Sequence, residues 1–246
     1  MSGHSKWSTI KHKKGAADAK RGKIFSKIVK ELTVAARLGG GNVEANPRLR
    51  MVLLKAKENN MPSDNIDRAI KKGTGELPGV NYEEMVYEGY GPGGAALLIE
   101  TLSDNKNRTS GEVRSTLEKR GGKLANPGAV AFQFSKKGYI LIQKTVADEE
   151  KVMNVALDAG ASDMKAEGDV YEVTTEVADF EKVQRAIKDA GISTQSAEIT
   201  FLPSASVEVK GQDAKHLLQL VEALEDLEDV QNVYSNFDIP ESEMDA

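Results

Sequence analysis

Hydrophobic residues recur at helical spacing in the first third of the chain and at extended spacing after it. Within residues 15–38, apolar side chains return every three or four positions, and Gly39-Gly40-Gly41 ends the pattern. This spacing predicts an amphipathic helix. On a helical projection the apolar residues share one flank, and four lysines line the roughly opposite side, where we expect them to face solvent. These are Lys20, Lys23, Lys27 and Lys30.

Two shorter helices are predicted to follow the first. Asn46 is the expected N-cap of the second, with Pro47 at the first helical position, and this helix runs to about Glu58. The third begins after Ser63 as its cap and stops at Gly73, because glycine favours the backbone conformation that ends a helix. Three helices joined by short loops predict a small helical bundle.

After the linker at residues 73–79 the apolar period changes from helical to extended. Strand-like runs and a helical segment then follow up to residue 135. In order, the predicted elements are a strand at 82–87, a strand at 95–101, a helix at 107–119 and a strand at 129–134.

The segment 138–201 has the element order strand, helix, strand, strand, helix, strand. This βαββαβ order is that of a ferredoxin-like unit. Its predicted strands lie at 139–143, near Met164, at 170–174 and at 196–201, and its helices at 148–159 and 178–190. A final strand, helix and strand at 206–209, 213–225 and 230–235 complete a second βαβ-rich unit with residues 82–135.

Together these elements predict an α+β fold, with an N-terminal three-helix domain followed by two ferredoxin-like α+β domains, one inserted in the other. The predicted division is a basic helical domain at 1–80, an α+β domain formed by 81–135 plus 204–240, and an inserted ferredoxin-like α+β domain at 136–203.

Composition narrows the class of protein. The 246 residues are 39% hydrophobic and 29% charged, as in a globular protein, and no apolar run reaches the roughly 18 residues of a membrane span. The basic N-terminus is followed by more lysine instead of an apolar core, which is not the pattern of a secretion signal. The absence of cysteine excludes a disulfide framework and thiolate chemistry. We therefore expect a cytoplasmic protein that makes no membrane contact.

Charge is separated along the chain. Residues 1–80 hold 17 Lys and Arg against seven Asp and Glu, a net charge of +10, and the remainder carries −15. A split of this size indicates a nucleic-acid-facing module attached to an acidic body. The alternative is a solvated basic face without a partner.

The densest positive charge lies in the first thirty residues, which contain nine Lys or Arg and a single acid, Asp18. Lysine and arginine bind phosphates by displacing counterions. Trp7 can stack on an unpaired base or, alternatively, pack on the helical bundle. The predicted nucleic-acid-binding residues are Lys6, Trp7, Lys11, Lys13, Lys14, Lys20, Arg21, Lys23, Lys27 and Lys30.

We expect no catalytic residue, metal site or cofactor, and the histidines support none. His4, His12 and His216 have no partner at ligand spacing. The Gly-Tyr-Gly-Pro-Gly-Gly stretch at 89–94 could cradle a phosphate, but it lacks the lysine of a P-loop and joins two predicted strands, which favours a hairpin connection.

Asp104 and Arg108 would suit a metal-dependent nuclease, which needs a carboxylate for a metal and a cation for a phosphate. The same stretch is also typical of a strand-to-helix turn in which Asn or Asp caps the following helix. We favour the cap, with a partner contact by Arg108 as the second option.

Four motifs occur in the order Gly3-His4-Ser5-Lys6-Trp7-Ser8, Ile10-Lys11-His12-Lys13-Lys14, Asn59-Asn60-Met61-Pro62 leading into Asn65-Ile66-Asp67-Arg68-Ala69-Ile70, and Tyr87-Glu88-Gly89-Tyr90-Gly91-Pro92-Gly93-Gly94. With them the chain closely resembles the YebC/PmpR family over essentially its whole length. The resemblance implies a helical domain, two α+β domains and a non-enzymatic role. Members are described as DNA-binding transcriptional regulators, and others, including organelle relatives, act on the ribosome during translation. An organelle relative would carry a transit peptide, so the resemblance favours a bacterial cytoplasmic protein.

We therefore expect a non-enzymatic nucleic-acid-binding regulator without a cofactor or a small-molecule substrate. The first version is a DNA-binding transcriptional regulator that contacts duplex DNA. The second is a ribosome-associated translation factor that binds ribosomal RNA. The third, a metal-dependent nuclease, is suggested only by Asp104 and Arg108.

Overall fold

The computed structural model describes residues 18–240, with side chains from residue 21 onward. Within that range the α-helices are α1 (Asp18–Gly39), α2 (Pro47–Glu58), α3 (Ser63–Thr74), α4 (Lys106–Lys119), α5 (Glu149–Asp158), α6 (Phe180–Asp189) and α7 (Gly211–Glu225). The strands are β1 (Glu83–Tyr90), β2 (Ala96–Ser103), β3 (Lys123–Leu124), β4 (Phe134–Gln143), β5 (Asp163–Glu167), β6 (Val170–Thr175), β7 (Ser196–Pro203), β8 (Val207–Glu208), β9 (Val230–Ser235) and β10 (Phe237–Asp238). Short 3-10 turns lie at Pro92–Gly94 and Ala131–Gln133. The α+β fold class is confirmed.

Helices α1, α2 and α3 form the predicted bundle around Ile28, Leu32 and Leu49, which are fully buried. Asn46 is the predicted cap of α2, because its side chain accepts a hydrogen bond from the Leu49 N–H at 3.0 Å. The same side chain donates to the carbonyl of Ala35 at 2.9 Å, so one residue both begins α2 and fixes it against α1.

The ends of α3 differ slightly from the prediction. Ser63 is the first helical residue rather than the cap, and Pro62 precedes it without a side-chain cap. The helix ends at Thr74, where Gly75 adopts a left-handed conformation with φ of 85°. Gly73 serves packing instead, since a Cβ atom there would lie 2.4 Å from the carbonyl oxygen of Thr33 in α1.

The first α+β unit, which we call the outer unit, has a four-stranded antiparallel sheet in the order β3-β1-β2-β9. Helices α4 and α7 pack on one face of it. Its core contains Leu97 and Ile99 from β2, Leu117 from α4 and Leu217 from α7, all fully buried. Strands β8 and β10 form a separate two-stranded parallel sheet.

The second unit, which we call the inner unit, has an antiparallel sheet in the order β5-β6-β4-β7. Its chain order β4-α5-β5-β6-α6-β7 is the predicted βαββαβ sequence of elements. Ile140, Val152, Val173 and Phe180 are among its buried core residues.

The two sheets share one arrangement although their strands follow different orders along the chain. The outer sheet order β3-β1-β2-β9 corresponds strand by strand to the inner order β5-β6-β4-β7, so that β1 occupies the position of β6. Helices α4 and α7 correspond to α5 and α6. The strand that comes third in the inner unit therefore comes first in the outer unit. The predicted boundaries at 80, 135 and 203 stay a prediction, although the buried members of each main core fall inside one predicted part.

The glycine-rich stretch at 89–94 joins the antiparallel strands β1 and β2, as the hairpin prediction requires. A Cβ atom on Gly91 would lie 2.6 Å from a methyl carbon of Leu217. Gly93 has φ of 70°, and its Cβ atom would lie 2.8 Å from Val209. These glycines let the connection pack closely on the α7 side of the core.

The prediction of a strand at 129–134 is wrong. Residues 131–133 form a 3-10 turn, and the ladder begins only at Phe134, the first residue of β4. The backbone N–H groups before it are engaged elsewhere, because the Glu88 carboxylate accepts from Gly128 at 2.6 Å, Val130 at 2.7 Å and Ala131 at 2.8 Å. This segment, residues 125–133, is called the Glu88 loop below.

Glu88 is buried, with 7% of its surface exposed. Burial alone would raise the pKa of its carboxyl, but the backbone N–H groups of Val130, Gly128 and Ala131 together lower that pKa below its usual value. The charged carboxylate is therefore the anchor of the Glu88 loop.

We expect Glu88→Gln to lower the free energy of unfolding by about 1–3 kcal/mol, because an amide NH2 group replaces one accepting oxygen and leaves buried N–H groups unpaired. Urea unfolding of the full chain measures the difference. Glu83→Gln, at an exposed position of the same strand, is the matched control and should change stability by less than about 0.5 kcal/mol. Equal effects of the two substitutions would contradict the anchoring role.

Candidate nucleic-acid interface

Half of the predicted nucleic-acid-binding residues lie outside the described part of the chain. Lys6, Trp7, Lys11, Lys13 and Lys14 precede residue 18, and Lys20 lies in α1 with its side chain outside the description. The structure places the side chains of the other four, which are Arg21, Lys23, Lys27 and Lys30.

The lysine side of α1 faces the end of α7 in the outer unit. Lys23 Nζ lies 3.3 Å from Asp226 Oδ1, and both side chains are about half exposed. Lys27 Nζ donates to the carbonyl oxygen of Glu225, the last residue of α7, at 2.6 Å. The last carbonyls of a helix have no partner within it and carry partial negative charge, so an ammonium group is well placed there.

Lys30 is the most deeply buried of these lysines, with 6% of its surface exposed. Its Nζ donates to Asp229 Oδ1 at 2.7 Å and to the Glu228 carbonyl at 3.2 Å. The expectation that this row of lysines faces solvent is therefore wrong for Lys30 and holds only in part for Lys27, because both lie against the outer unit. Their assignment to nucleic-acid contact stays a prediction.

Arg21 lies on a different side of α1. It is exposed, and at 100° per residue it points about 180° away from Lys30. Among the four placed residues, Arg21 remains in solvent, and the side chain of Lys23 is about half exposed.

Asp229 is the acceptor at the centre of this contact, and its side chain is 1% exposed. One oxygen accepts from Lys30, and the other accepts from Ser103 Oγ at 2.9 Å, Thr109 Oγ1 at 2.8 Å and Arg108 Nη2 at 2.7 Å. A carboxylate at this depth thus has two cations and two hydroxyl groups around it. The group links α1 to β2, to α4 and to the segment before β9.

Burial alone would raise the pKa of Asp229, but the hydrogen bonds from Lys30, Arg108, Thr109 and Ser103 lower it to about 2. The hydrogen bonds that Arg108 donates to Asp229 and Asp104 raise its pKa further above its already high value. The Asp229 carboxylate and the Arg108 guanidinium therefore stay charged in the folded protein across the neutral range, as a buried ion pair with satisfied hydrogen bonds requires.

The structure favours the cap for the stretch around Asp104. Asn105 caps α4 by accepting from the Arg108 N–H at 3.1 Å, and Arg108 Nη2 pairs with Asp104 Oδ1 at 2.8 Å. The Arg108 guanidinium also reaches Asp229, so its contacts lie within the protein. Within residues 18–240, no group of three or more His, Cys, Asp or Glu side chains is placed to hold a metal ion.

Three arginines that the sequence reasoning left out also join the bundle to the α+β units. Arg37 Nη2 donates to the carbonyl of Tyr82. Arg48 pairs with Glu84 in β1. Arg50 Nη2 reaches both carboxylate oxygens of Glu181 in α6, at 3.0 and 3.1 Å.

The sequence held one signal of an internal partner for the lysines of α1. Four of the five residues at 225–229 are acidic, and this stretch is where Lys23, Lys27 and Lys30 bind.

Several bundle cations remain at the surface of the described chain. They are exposed, and none is joined by an ion pair to another residue between 21 and 240. They are Arg21, Lys57, Arg68, Lys71 and Lys72. The last three occupy positions of α3 separated by three and four residues, so they share one side of that helix.

We expect Asp229→Asn to lower the free energy of unfolding by about 3 kcal/mol, because it leaves the buried Lys30 with only the exposed Glu228 carboxylate, 3.6 Å away, as a charged partner. Urea unfolding at neutral pH measures the loss. Asp226→Asn removes a half-exposed ion pair on the same surface and should cost no more than about 1 kcal/mol.

The pH dependence provides a second measurement of the same effect. Because the folded pKa of Asp229 is lowered to about 2 from a usual 3.8, its contribution is present above about pH 4 and is lost as the pH falls toward 2. The wild type should lose stability across that window more steeply than Asp229→Asn. Parallel profiles would show that Asp229 does not carry this stability.

No helix in the described range has the length and apolarity needed to cross a membrane.

The sequence also matches known proteins along nearly its full length. A family model described as the TACO1/YebC protein N-terminal domain matches residues 5–76, and one described as the TACO1/YebC second and third domain matches residues 82–237. A protein of Desulfatibacillum aliphaticivorans, named "Probable transcriptional regulatory protein", is 58% identical over 241 residues, which is 98% of each chain. A protein of the same name from Syntrophobacter fumaroxidans is 55% identical over 246 residues, covering 100% of this chain and 99% of the relative.

A solved structure agrees with the fold. The crystal structure of a conserved hypothetical protein from Aquifex aeolicus superposes with a TM-score of 0.81 at 44% identity, covering 91% of this chain and 93% of that one. The matched family models cover the bundle and both α+β units described above. The chain therefore belongs to the TACO1/YebC family.

Proposed function

We propose that this chain is a non-enzymatic nucleic-acid-binding regulator, and more specifically a DNA-binding transcriptional regulator of the cytoplasm. The observation that carries the proposal is the net charge of +10 on residues 1–80 beside −15 on the rest. Positive charge of this density attracts phosphates, and the acidic remainder repels them and so orients the basic part toward the ligand. The printed names of the relatives from Desulfatibacillum and Syntrophobacter support a regulatory role.

The contacts of α1 indicate which cations are available for this role. Lys27 and Lys30 are held against the end of α7, as Arg50 is against Glu181. These contacts leave Arg21 in the first turn of α1, Lys57 in α2 and three cations of α3 exposed. The first thirty residues still hold the densest positive charge of the sequence. We assign the principal phosphate contacts to Lys6, Lys11, Lys13 and Lys14, with Lys20 and Arg21 adjacent.

The alternative is a ribosome-associated translation factor that binds ribosomal RNA. The observation that favours it is Trp7, the single tryptophan of the chain, which lies directly after Lys6 and close to the Lys11–Lys14 group. An aromatic ring among lysines suits unpaired bases, which RNA offers in loops and bulges and duplex DNA does not.

The salt dependence of binding tests the assignment of the phosphate contacts. We expect the logarithm of the association constant for duplex DNA to fall with the logarithm of salt concentration, with a slope of about −0.9 per phosphate contacted. Replacing Lys6, Lys11, Lys13 and Lys14 by Ala should make this slope shallower by up to roughly 3–4 units. Fluorescence anisotropy at several salt concentrations measures both slopes.

A matched control separates local contact from total charge. Lys151, Lys165, Lys182 and Lys188 are exposed lysines of the inner unit, and their joint replacement by Ala changes the net charge by the same amount. This control should leave the slope near that of the wild type. If both quadruple variants shift the slope equally, the segment before α1 does not make the contacts.

Co-sedimentation with ribosomes distinguishes the two versions of the function. At physiological salt we expect the full chain to stay in the supernatant while it binds duplex DNA, since a dedicated DNA regulator has no need of a ribosomal site. Recovery in the ribosomal pellet, together with its loss in the Lys6, Lys11, Lys13 and Lys14 variant, would instead support the translation factor. Pelleting of both forms alike would remove this segment from either version.

A further inference from the structure

Phe132 is the most exposed large hydrophobic side chain in the described part of the protein, with 77% of its surface accessible. It lies in the middle of the 3-10 turn Ala131–Gln133, between the outer and inner units. A single exposed apolar residue is common and requires no explanation by itself. The backbone around it and the charges beside it distinguish this one.

The backbone on both sides of Phe132 is firmly held. Before it, the buried Glu88 carboxylate accepts from the N–H groups of Val130 and Ala131. After it, the carbonyl of Gln133 accepts from the Ser204 N–H at 2.8 Å, and the Gln133 side chain accepts from Asn236 at 3.1 Å. The ring is thus presented outward on a fixed turn, which lowers the conformational entropy that the protein loses when a ligand stacks against it.

The charge around this turn differs from that of the rest of the acidic part. Residues 119–147 contain six Lys or Arg and no Asp or Glu, within a region that carries −15 overall. The turn therefore lies in a segment that attracts phosphates.

Two exposed lysines of this segment each lie over an aromatic ring. Lys123 Nζ lies 5.5 Å from the ring centre of Tyr90, whose hydroxyl donates to the Ala129 carbonyl at 3.3 Å. Lys136 Nζ lies 5.5 Å from the ring centre of Phe201. Tyr90 and Phe201 pack on one hydrophobic cluster with the neighbouring residues Ala129 and Ala131. Lys123 and Lys136 therefore lie over aromatic rings of the cluster on which the residues flanking Phe132 also pack.

Acidic charge limits the extent of this surface. Glu84 lies four residues before Glu88 on the same face of β1, and it is near enough for Lys136 to contribute to lowering its pKa. The positive surface is therefore bounded on the β1 side and does not suit a long track of phosphates.

We propose that Phe132 is a stacking platform for an unpaired base of a single-stranded nucleic acid, with Lys123 and Lys136 contacting phosphates beside that base. The inference rests on the proposed function and adds a second contact to it, formed by the outer and inner units. The exposed lysines of this acid-free stretch of sequence favour a polyanion over a protein pocket as the occupant, because a base offers a flat π face and its backbone supplies the matching charge.

Binding of short single strands by the full chain tests the proposal. The probes are RNA and DNA 12-mers of mixed sequence and the duplex of the same DNA sequence. Phe132→Ala should weaken single-strand binding by about five-fold to more than a hundred-fold, the range of one lost base stack. Phe132→Trp should restore it, and Leu157→Ala, at another exposed apolar position that is 45% accessible, should leave it unchanged. Affinity for the duplex should change by less than two-fold in all three variants.

A 2-aminopurine base in the 12-mer reports stacking directly. Its fluorescence should be quenched on binding to the wild type and to Phe132→Trp, and much less with Phe132→Ala at saturating protein. Replacing Lys123 and Lys136 by Ala should make the salt slope for single strands shallower by up to about 1.4, since each phosphate contact contributes about 0.7. The comparison of RNA with DNA decides which single strand is preferred.

The outcomes separate this inference from the proposed function. If the wild type binds no nucleic acid, both fall together. If it binds and Phe132→Ala binds the single strands equally well, the stacking role is overturned and the proposed function stands; a protein pocket as the true occupant of Phe132 would give this result. An equal loss on single strands and on the duplex would also overturn it, because a duplex offers no unpaired base.

Discussion

The buried carboxylate of Asp229 is the constraint on which the arrangement of this protein depends. It is 1% exposed and accepts from Lys30 of α1 and Arg108 of α4 as well as from two hydroxyl groups. A charged carboxylate in such a place is tolerable only when it is paired and fully hydrogen-bonded. Asp229 is therefore the most deeply buried of the groups that fix α1 on the outer unit, and the contacts of Lys23 and Lys27 with the end of α7 lie beside it.

The same contact changes the meaning of the net charge. Residues 1–80 carry +10, yet a substantial share of that charge is directed inward: Lys30 toward Asp229, Arg48 toward Glu84 and Arg50 toward Glu181. The acidic remainder is thus more than a repulsive body that orients a basic domain, because it also supplies the acceptors that hold this domain. The charge left for a partner is therefore smaller than the total, and within the described bundle it includes Arg21 of α1, Lys57 of α2 and the exposed cations of α3.

Local patterns predicted the elements well, and contacts between distant residues account for what they missed. Asn46 and Pro47 placed the start of α2, and the βαββαβ order of the inner unit followed from periodicity alone. The strand predicted at 129–134 was wrong because Glu88, some forty residues earlier, takes the N–H groups that a ladder would need. The burial of Lys30 was missed because its acceptor lies 199 residues further along the chain. Neither contact leaves a periodic signal.

Lysines of one helix that perform different tasks require different interpretations when they are replaced. A substitution at Lys30 removes one of the two cations paired with the buried Asp229. A loss of nucleic-acid binding in such a variant can therefore result from displacement of α1 as well as from a lost phosphate contact. Lys23, whose partner Asp226 is half exposed, carries little of that structural load. When a substitution at Lys23 or Arg21 lowers affinity without lowering stability, the effect is attributable to a lost contact with the nucleic acid. A substitution at Lys30 is expected to lower both, so its effect on affinity does not identify a contact. Stability and binding must be measured on the same variants, since the fold and the proposed interface draw on the same row of cations.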